Sequence, residues 1–201
     1  MKYISTRGQT APMDFSDVLL MGLAPDGGLM LPEHYPNIDS RTLDEWRTLS
    51  YPQLAMAIMQ RFATDIPAAD LQDIIERTYT SEVFGSDEIV PVRKLEDNLY
   101  ILGLSNGPTL AFKDVAMQFL GNAFEYVLKR KDARITIIGA TSGDTGSAAE
   151  YALRGKENIE VFMLSPHGKM SEFQRAQMYS LTDDNIHNIA IDGICSFYTS
   201  P

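Results

Sequence analysis

Cysteine is nearly absent from this sequence. Its one thiol, Cys195, has no second cysteine to pair with inside the chain, which fits a reducing compartment. Histidine is scarce as well. His34, His167 and His187 lie far apart and are not paired with the cysteine in a ligand spacing, so no zinc site and no other metal is expected. Positive charge is the minority sign, with 17 Lys and Arg against 27 Asp and Glu and a net charge of -10. That balance argues against a nucleic-acid partner, which needs a basic surface to neutralise phosphates. No stretch approaches the roughly 20 apolar residues of a membrane span. The opening Met1 to Gly8 carries no apolar run of signal-peptide length. Repeats and low-complexity tracts are missing too. The expectation is a cytoplasmic protein with no membrane partner. What is present is ordinary for a globular chain: 44% hydrophobic and 22% charged over 201 residues, enough for one large domain or two small ones.

One stretch stands out, Ser105 to Gln118, with Lys113 between Phe112 and Asp114. Leu110 and Ala111 precede it, and Val115 and Ala116 follow. Desolvation disfavours the charged form of an amine, and an uncharged amine is the form that attacks a carbonyl. A lysine at the first turn of an amphipathic helix that extends its head to water is the other reading, and the local residues alone favour it.

The chain in order begins with turn-rich sequence. Tyr3 to Arg7 has strand character, and Asp14 to Leu23 reads as a short helix that Ser16 and Asp17 are placed to cap. Pro25-Asp26-Gly27-Gly28 signals a turn. The Gly-Gly pair allows close backbone approach to a phosphate, but no helix start follows, which favours a plain turn. Residues 40 to 86 read as helical. Asp39 or Ser40 caps a segment through Trp46, Tyr51 to Ala63 repeats apolar residues at helical spacing, and Pro67 opens a third helix. Its face of Leu71, Ile74 and Ile75 opposes Asp70, Asp73 and Glu76, the pattern of a packed amphipathic helix.

Two strands follow, Ile89 to Leu95 and Leu99 to Leu104, with Asp97-Asn98 turning between them. The spacing predicts a helix over 112–129, which places Lys113 near an N-terminus, where the dipole disfavours positive charge. Arg134 to Ala140 reads as a buried strand. It runs into Thr141-Ser142-Gly143-Asp144-Thr145-Gly146 and a helix to about Leu153. A strand at Ile159 to Leu164, a helix from Ser171 to Tyr179 and a strand at Ile186 to Asp192 complete the pattern. Alternating strands and helices imply an α/β fold with a parallel sheet. Its sites form at the carboxyl ends of strands, where both the Lys113 loop and the Thr141 to Gly146 loop are expected.

The Thr141 to Gly146 loop lacks the Gly-Lys-Ser/Thr ending of a P-loop and is not Gly-x-Gly-x-x-Gly. It suits an anion at a helix N-terminus, and equally an ordinary tight βα turn. Asp144 would repel a phosphate; it fits better beside an amine, a hydroxyl or a phenolic oxygen. A lysine, an anion cradle and an acceptor for a phenol at one sheet edge suggest an aldehyde cofactor with a ring hydroxyl. Pyridoxal 5'-phosphate has these features.

At these residues the sequence resembles the threonine synthases, of the tryptophan-synthase-β-like group (fold type II) of pyridoxal-phosphate enzymes. The resemblance rests on Gly107 to Asp114, on Thr141 to Gly146, on Tyr3 to Gly8 with Asp26 to Leu29, and on Pro166 to Ser171 with Gln174, Gln177 and Met178. It runs from Met1 to about Gly193. It implies a lyase that converts O-phospho-L-homoserine and water to L-threonine and phosphate. Lys113 is implied as the catalytic, cofactor-holding lysine, with Phe112 packed near the cofactor ring and Asp144 near its phenolic oxygen. Thr141, Ser142, Gly143 and Thr145 are implied as substrate-binding groups. The implied fold is a three-layer parallel or mixed sheet, incomplete here, preceded by a mostly helical domain. Residues 1–95 correspond to the family's N-terminal domain and 96–193 to the first part of the catalytic domain.

Two departures shape the expectation. Family members are much longer, and the glycine-rich loop that anchors the cofactor's phosphate is not found in this sequence. The tail 194–201 does not resemble the family's continuation, as expected of a truncated or frameshifted chain. Such a chain is expected to be inactive on its own. A serine/threonine dehydratase-like enzyme and a non-catalytic binding fragment are the alternatives, and the N-terminal match argues against the first. Oligomeric state is not legible.

Overall fold

The computed structural model describes residues 1–193. The expected non-family tail and Cys195 lie outside the described residues. Contacts divide the chain into two units, Met1–Tyr79 and a second from Thr80 onward.

In the first unit, β1 (Tyr3–Ser5) pairs antiparallel with β2 (Met30–Pro32), with Tyr3 opposite Pro32 and Ser5 opposite Met30. Between them lies α1 (Phe15–Met21), whose N-cap is Asp14 and has no side-chain cap bond. Ser16 and Asp17 sit inside the helix, so the expected capping role does not hold. Ser16 instead takes a backbone bond to Asp65, its amide donating to Asp65 Oδ2 at 3.0 Å. The Asp26 turn is a plain turn built on one carboxylate. Asp26 Oδ1 accepts from Ser5 Oγ at 2.7 Å and Gly28 N at 2.9 Å, and Oδ2 accepts from Gln9 N at 3.0 Å. These bonds, led by that of Ser5, hold its pKa down at about 2. Three helices follow. Asp39 caps α2 (Ser40–Trp46) through Thr42 N, and Ser50 with Gln53 forms a reciprocal capping box on α3 (Tyr51–Met59). In α4 (Ala68–Thr78) Leu71, Ile74, Ile75 and Thr78 are buried, the i, i+3, i+4, i+7 face of an amphipathic helix.

The second unit opens with a single turn, α5 (Ser81–Phe84), which the sequence reading did not separate. A hairpin follows, β3 (Val92–Glu96) antiparallel to β4 (Leu99–Leu102), turning at Asn98 with φ of 63°. Then come α6 (Asp114–Lys131), β5 (Ile135–Ala140), α7 (Asp144–Leu153), β6 (Ile159–Pro166), α8 (Glu172–Tyr179) and β7 (Ile186–Ile191). Among the described residues β5, β6 and β7 form a parallel sheet in that order, Ile135 opposite Ile159 and Val161 opposite Ile186. The helices α6 and α7 meet through Gly121, where a Cβ would overlap the Ala152 carbonyl.

Two expectations are corrected here. The hairpin β3–β4 is not part of the parallel sheet, so the Lys113 loop does not leave a parallel strand. And β5 is an edge strand, not a buried one: its residues alternate between half-buried and exposed, with Ile138 72% exposed. An unbroken apolar run does not distinguish the two cases. No helix among the described residues is long and apolar enough to cross a membrane.

Candidate functional site

Lys113 is the N-cap residue of α6, half-buried, with its Nζ 4.3 Å from the centroid of the Phe112 ring. Leu110 and Phe112 face solvent, Phe112 at 60% exposure, so the apolar neighbours in sequence do not enclose the amine. The loop before it is held in shape by Asp114, which is fully buried. Its two carboxylate oxygens accept from Thr109 N and Thr109 Oγ1, each at 2.8 Å. Burial pushes the Asp114 carboxyl up, while the Thr109 bonds and the amides of Ala111 and Leu110 oppose that rise. The loop is tight at both ends. A Cβ on Gly107 would overlap the Asp114 side chain, and Leu110 adopts φ of 64°, a left-handed conformation that costs a non-glycine residue.

The second loop leaves the carboxyl end of β5. Thr141 is buried and its amide still pairs with Leu164 O of β6 at 2.9 Å. Thr141 Oγ1 accepts from Gly143 N at 3.2 Å and Gly146 N at 3.1 Å. The hydroxyl thereby folds the loop around itself, and a Cβ on Gly146 would overlap the Thr141 side chain. Gly143 is the N-cap of α7. The first amides of a helix have no intrahelical acceptor. With those of Gly143 and Gly146 given to Thr141, the amides of Asp144 and Thr145 are left for a ligand. Ser142, Asp144 and Thr145 are exposed, whereas Thr141 and Gly143 are buried. The loop thus presents two hydroxyls, two amides and one carboxylate.

Both loops meet α8. Gln177 Nε2 donates to Thr109 O at 3.0 Å, and Gln174 Nε2 donates to Asp144 Oδ1 at 2.6 Å. Sequence reasoning noted both glutamines only within the resemblance and assigned them no role; it gave none to Thr109 or Asp114 either. The available signal was their spacing, since residues three apart on a helix share a face.

A cleft of about 510 Å³ lies at the other end of the sheet, lined by Gly155, Lys156, Glu160 and Asp183. It is formed by turns at the amino ends of β6 and β7, and parallel sheets place their sites at the carboxyl ends. A smaller cleft of about 220 Å³ at the carboxyl end of β6, lined by Ser165, His167, Met170, Arg175 and Tyr179, is on the expected side.

The donor set fits an anionic aldehyde cofactor: a primary amine at a helix start, open helix-N-terminal amides and small hydroxyl residues. Comparison with known proteins gives the same direction. Residues 2–79 match a family described as "Threonine synthase N terminus". The chain is 59% identical to a threonine synthase of Methylobacillus glycogenes, over 96% of this chain and 42% of that protein. Among solved structures, a PLP-bound threonine synthase from Brucella melitensis superposes with a TM-score of 0.91 at 44% identity, covering 98% of this chain and 42% of that one. The yeast threonine synthase gives 0.89 at 44% identity, covering 97% and 41%. The chain spans about two-fifths of the length of the curated relatives it matches.

Proposed function

We propose that this chain, a homologue of the N-terminal portion of the threonine synthases, is the lysine-bearing part of an enzyme that converts O-phospho-L-homoserine and water to L-threonine and phosphate in the cytoplasm. The observation that carries the reading is Lys113 at the start of α6, with its loop and the Thr141 to Gly146 loop bonded to one helix. Pyridoxal 5'-phosphate, when bound, supplies an electron sink for negative charge developing on substrate carbons. The Lys113 amine would hold that cofactor and accept or return a proton at its Nζ. Ser142 and Thr145, with the amides of Asp144 and Thr145, hold the substrate's carboxylate or phosphate. The two amides are fixed by α7 before the reaction starts, and preorganised dipoles of this kind are usually the largest catalytic term. Asp144, oriented by Gln174, would serve the cofactor's phenolic oxygen, and Phe112 would pack near its ring.

By itself the 201-residue chain is expected to turn over little substrate, since its sequence offers no glycine-rich loop for the cofactor's phosphate. One observation favours a second reading, a non-catalytic binding fragment: Val92, Leu95, Leu99, Tyr100, Ile101 and Leu102 of the hairpin all face solvent. Titration with pyridoxal phosphate separates the two. Visible absorbance that appears in the parent chain and is lost in Lys113→Ala supports the first reading. Absorbance in neither protein supports the second. Turnover of serine or threonine without phosphate release from phosphohomoserine would favour a dehydratase.

A further inference from the structure

The helix α8 is fastened to the sheet along its last turn. Met178 is fully buried, and its carbonyl accepts from Asn188 Nδ2 of β7 at 3.0 Å. The Tyr179 hydroxyl lies 2.8 Å from Ser165 Oγ of β6. From Gln174, one turn earlier, and from Gln177, next to Met178, the same helix reaches outward to both loops of the site. The Gln174 side chain is itself pre-oriented. Ser171, the N-cap of α8, donates from its hydroxyl to Gln174 Oε1 at 2.9 Å and accepts from Gln174 N at 3.2 Å. That leaves Gln174 Nε2 free to face Asp144. The contact is close enough that Gly143 has no room for a side chain, because a Cβ there would overlap the Gln174 amide.

The need for such a brace follows from topology. The Thr141 to Gly146 loop grows directly out of the sheet. The Lys113 loop does not, because β4 belongs to the separate hairpin. The Thr109 carbonyl accepts from Gln177, while the amide and hydroxyl of the same residue donate to Asp114, the residue after Lys113. A path of hydrogen bonds therefore runs from α8 through Thr109 to Asp114 and the start of α6.

We infer that α8 is a clasp that holds the lysine loop and the glycine loop in one geometry, with Gln174 and Gln177 as its positioning residues. The inference deepens the reading of Lys113 and Thr141 to Gly146 as one site, and rests on it for its functional meaning. Neither glutamine touches Lys113. Each acts through a loop: Gln177 by fixing Thr109, and Gln174 by fixing Asp144.

Site-resolved amide hydrogen exchange on the parent chain tests this, with Gln174→Glu and Gln177→Glu as near-isosteric variants that lose the donor. Gln177→Glu is expected to speed exchange at Thr109, Leu110 and Ala111 about tenfold, the effect of one lost hydrogen bond. Gln174→Glu is expected to do the same at 143–146. In both, the amides of β5, β6 and β7 keep their parent rates. Gln174→Met and Gln177→Met, which lose the donor without adding charge, should repeat the pattern. Unchanged loops, or acceleration spread evenly through the sheet, would overturn the clasp. A second readout is the rate at which pyridoxal phosphate and borohydride label Lys113, expected to fall severalfold in both variants. Absence of label in the parent chain would count against Lys113 as the cofactor lysine and leave the exchange pattern to decide the clasp.

Discussion

Glu150 is a fully buried carboxyl on α7; among the described residues its only bond is a long one, accepted from Asn188 Nδ2 at 3.4 Å, and its Oε1 has no partner. Burial, against a small opposing effect of Asn188, pushes its pKa up to about 7 from an ordinary 4.5. The folded state therefore holds a proton that the unfolded chain releases earlier. The stability this contributes is complete below pH 4.5 and is lost as pH rises through about 7, a span worth about 3 kcal/mol. Glu150→Gln is expected to remove that slope, measured by urea unfolding at pH 5 and pH 8. Asp26 acts with the opposite sign. Its pKa is depressed to about 2, so its contribution is present above pH 3.8 and fades as pH falls through 2. Asp26→Asn should flatten the acid limb of the first unit's melting curve. Asp26 was legible as a turn residue from Pro25-Asp26-Gly27-Gly28. Glu150 was not, because a glutamate in Ala148-Ala149-Glu150-Tyr151 reads the same whether it faces water or the sheet.

At the level of elements, the helices were the most readable part. The stripe of α4 and the Asp39 cap of α2 follow from local sequence, and the Ser50–Gln53 capping box of α3, absent from the sequence reading, is as local. Ser50→Ala is expected to cost about 1 kcal/mol in the first unit, read by thermal melting. Where two elements meet, local sequence is silent. Gly121 in mid-helix reads as a weakness worth about 1 kcal/mol against alanine. In the structure it is the point where α6 rests on the Ala152 carbonyl of α7. Overpacking of that kind costs about 1–3 kcal/mol, so the steric cost outweighs the propensity gain. Gly121→Ala is expected to lower the unfolding midpoint of the second unit, and a rise in midpoint would show that α6 and α7 can separate. The α8 clasp was hidden for the same reason: Gln177 and Thr109 are 68 residues apart in sequence, and nothing local to either marks the bond.

Across the whole chain, the order of strands and helices was readable except at β2 and α5, and the partition of strands into sheets was not. Both Leu99 to Leu104 and Arg134 to Ala140 are apolar runs ahead of a glycine loop and a helix. One became half of a two-stranded hairpin and the other the edge of a parallel sheet. Pairing is decided by residues distant in sequence, and the alternation of exposure along β5 reflects a face that no described residue covers. Exposed apolar strands promote association. Leu99→Lys together with Ile101→Lys is expected to reduce concentration-dependent light scattering of the chain while leaving its melting temperature unchanged. The site has the same division of legibility. Lys113 and the Thr141 to Gly146 loop are contiguous motifs, visible in sequence. Thr109 and Asp114 lie inside the lysine motif itself, and only their mutual bonding is hidden there. Gln174 and Gln177, which join the loops, act across 30 and 68 residues of chain.

The proposed function turns on Lys113 as the amine that would hold pyridoxal phosphate. Incubation of the chain with the cofactor, reduction with borohydride and peptide mass mapping tests it most directly. A single pyridoxyl group is expected on the peptide containing Lys113, absent from Lys113→Ala. Label spread over several lysines, or equal label in the variant, would contradict it.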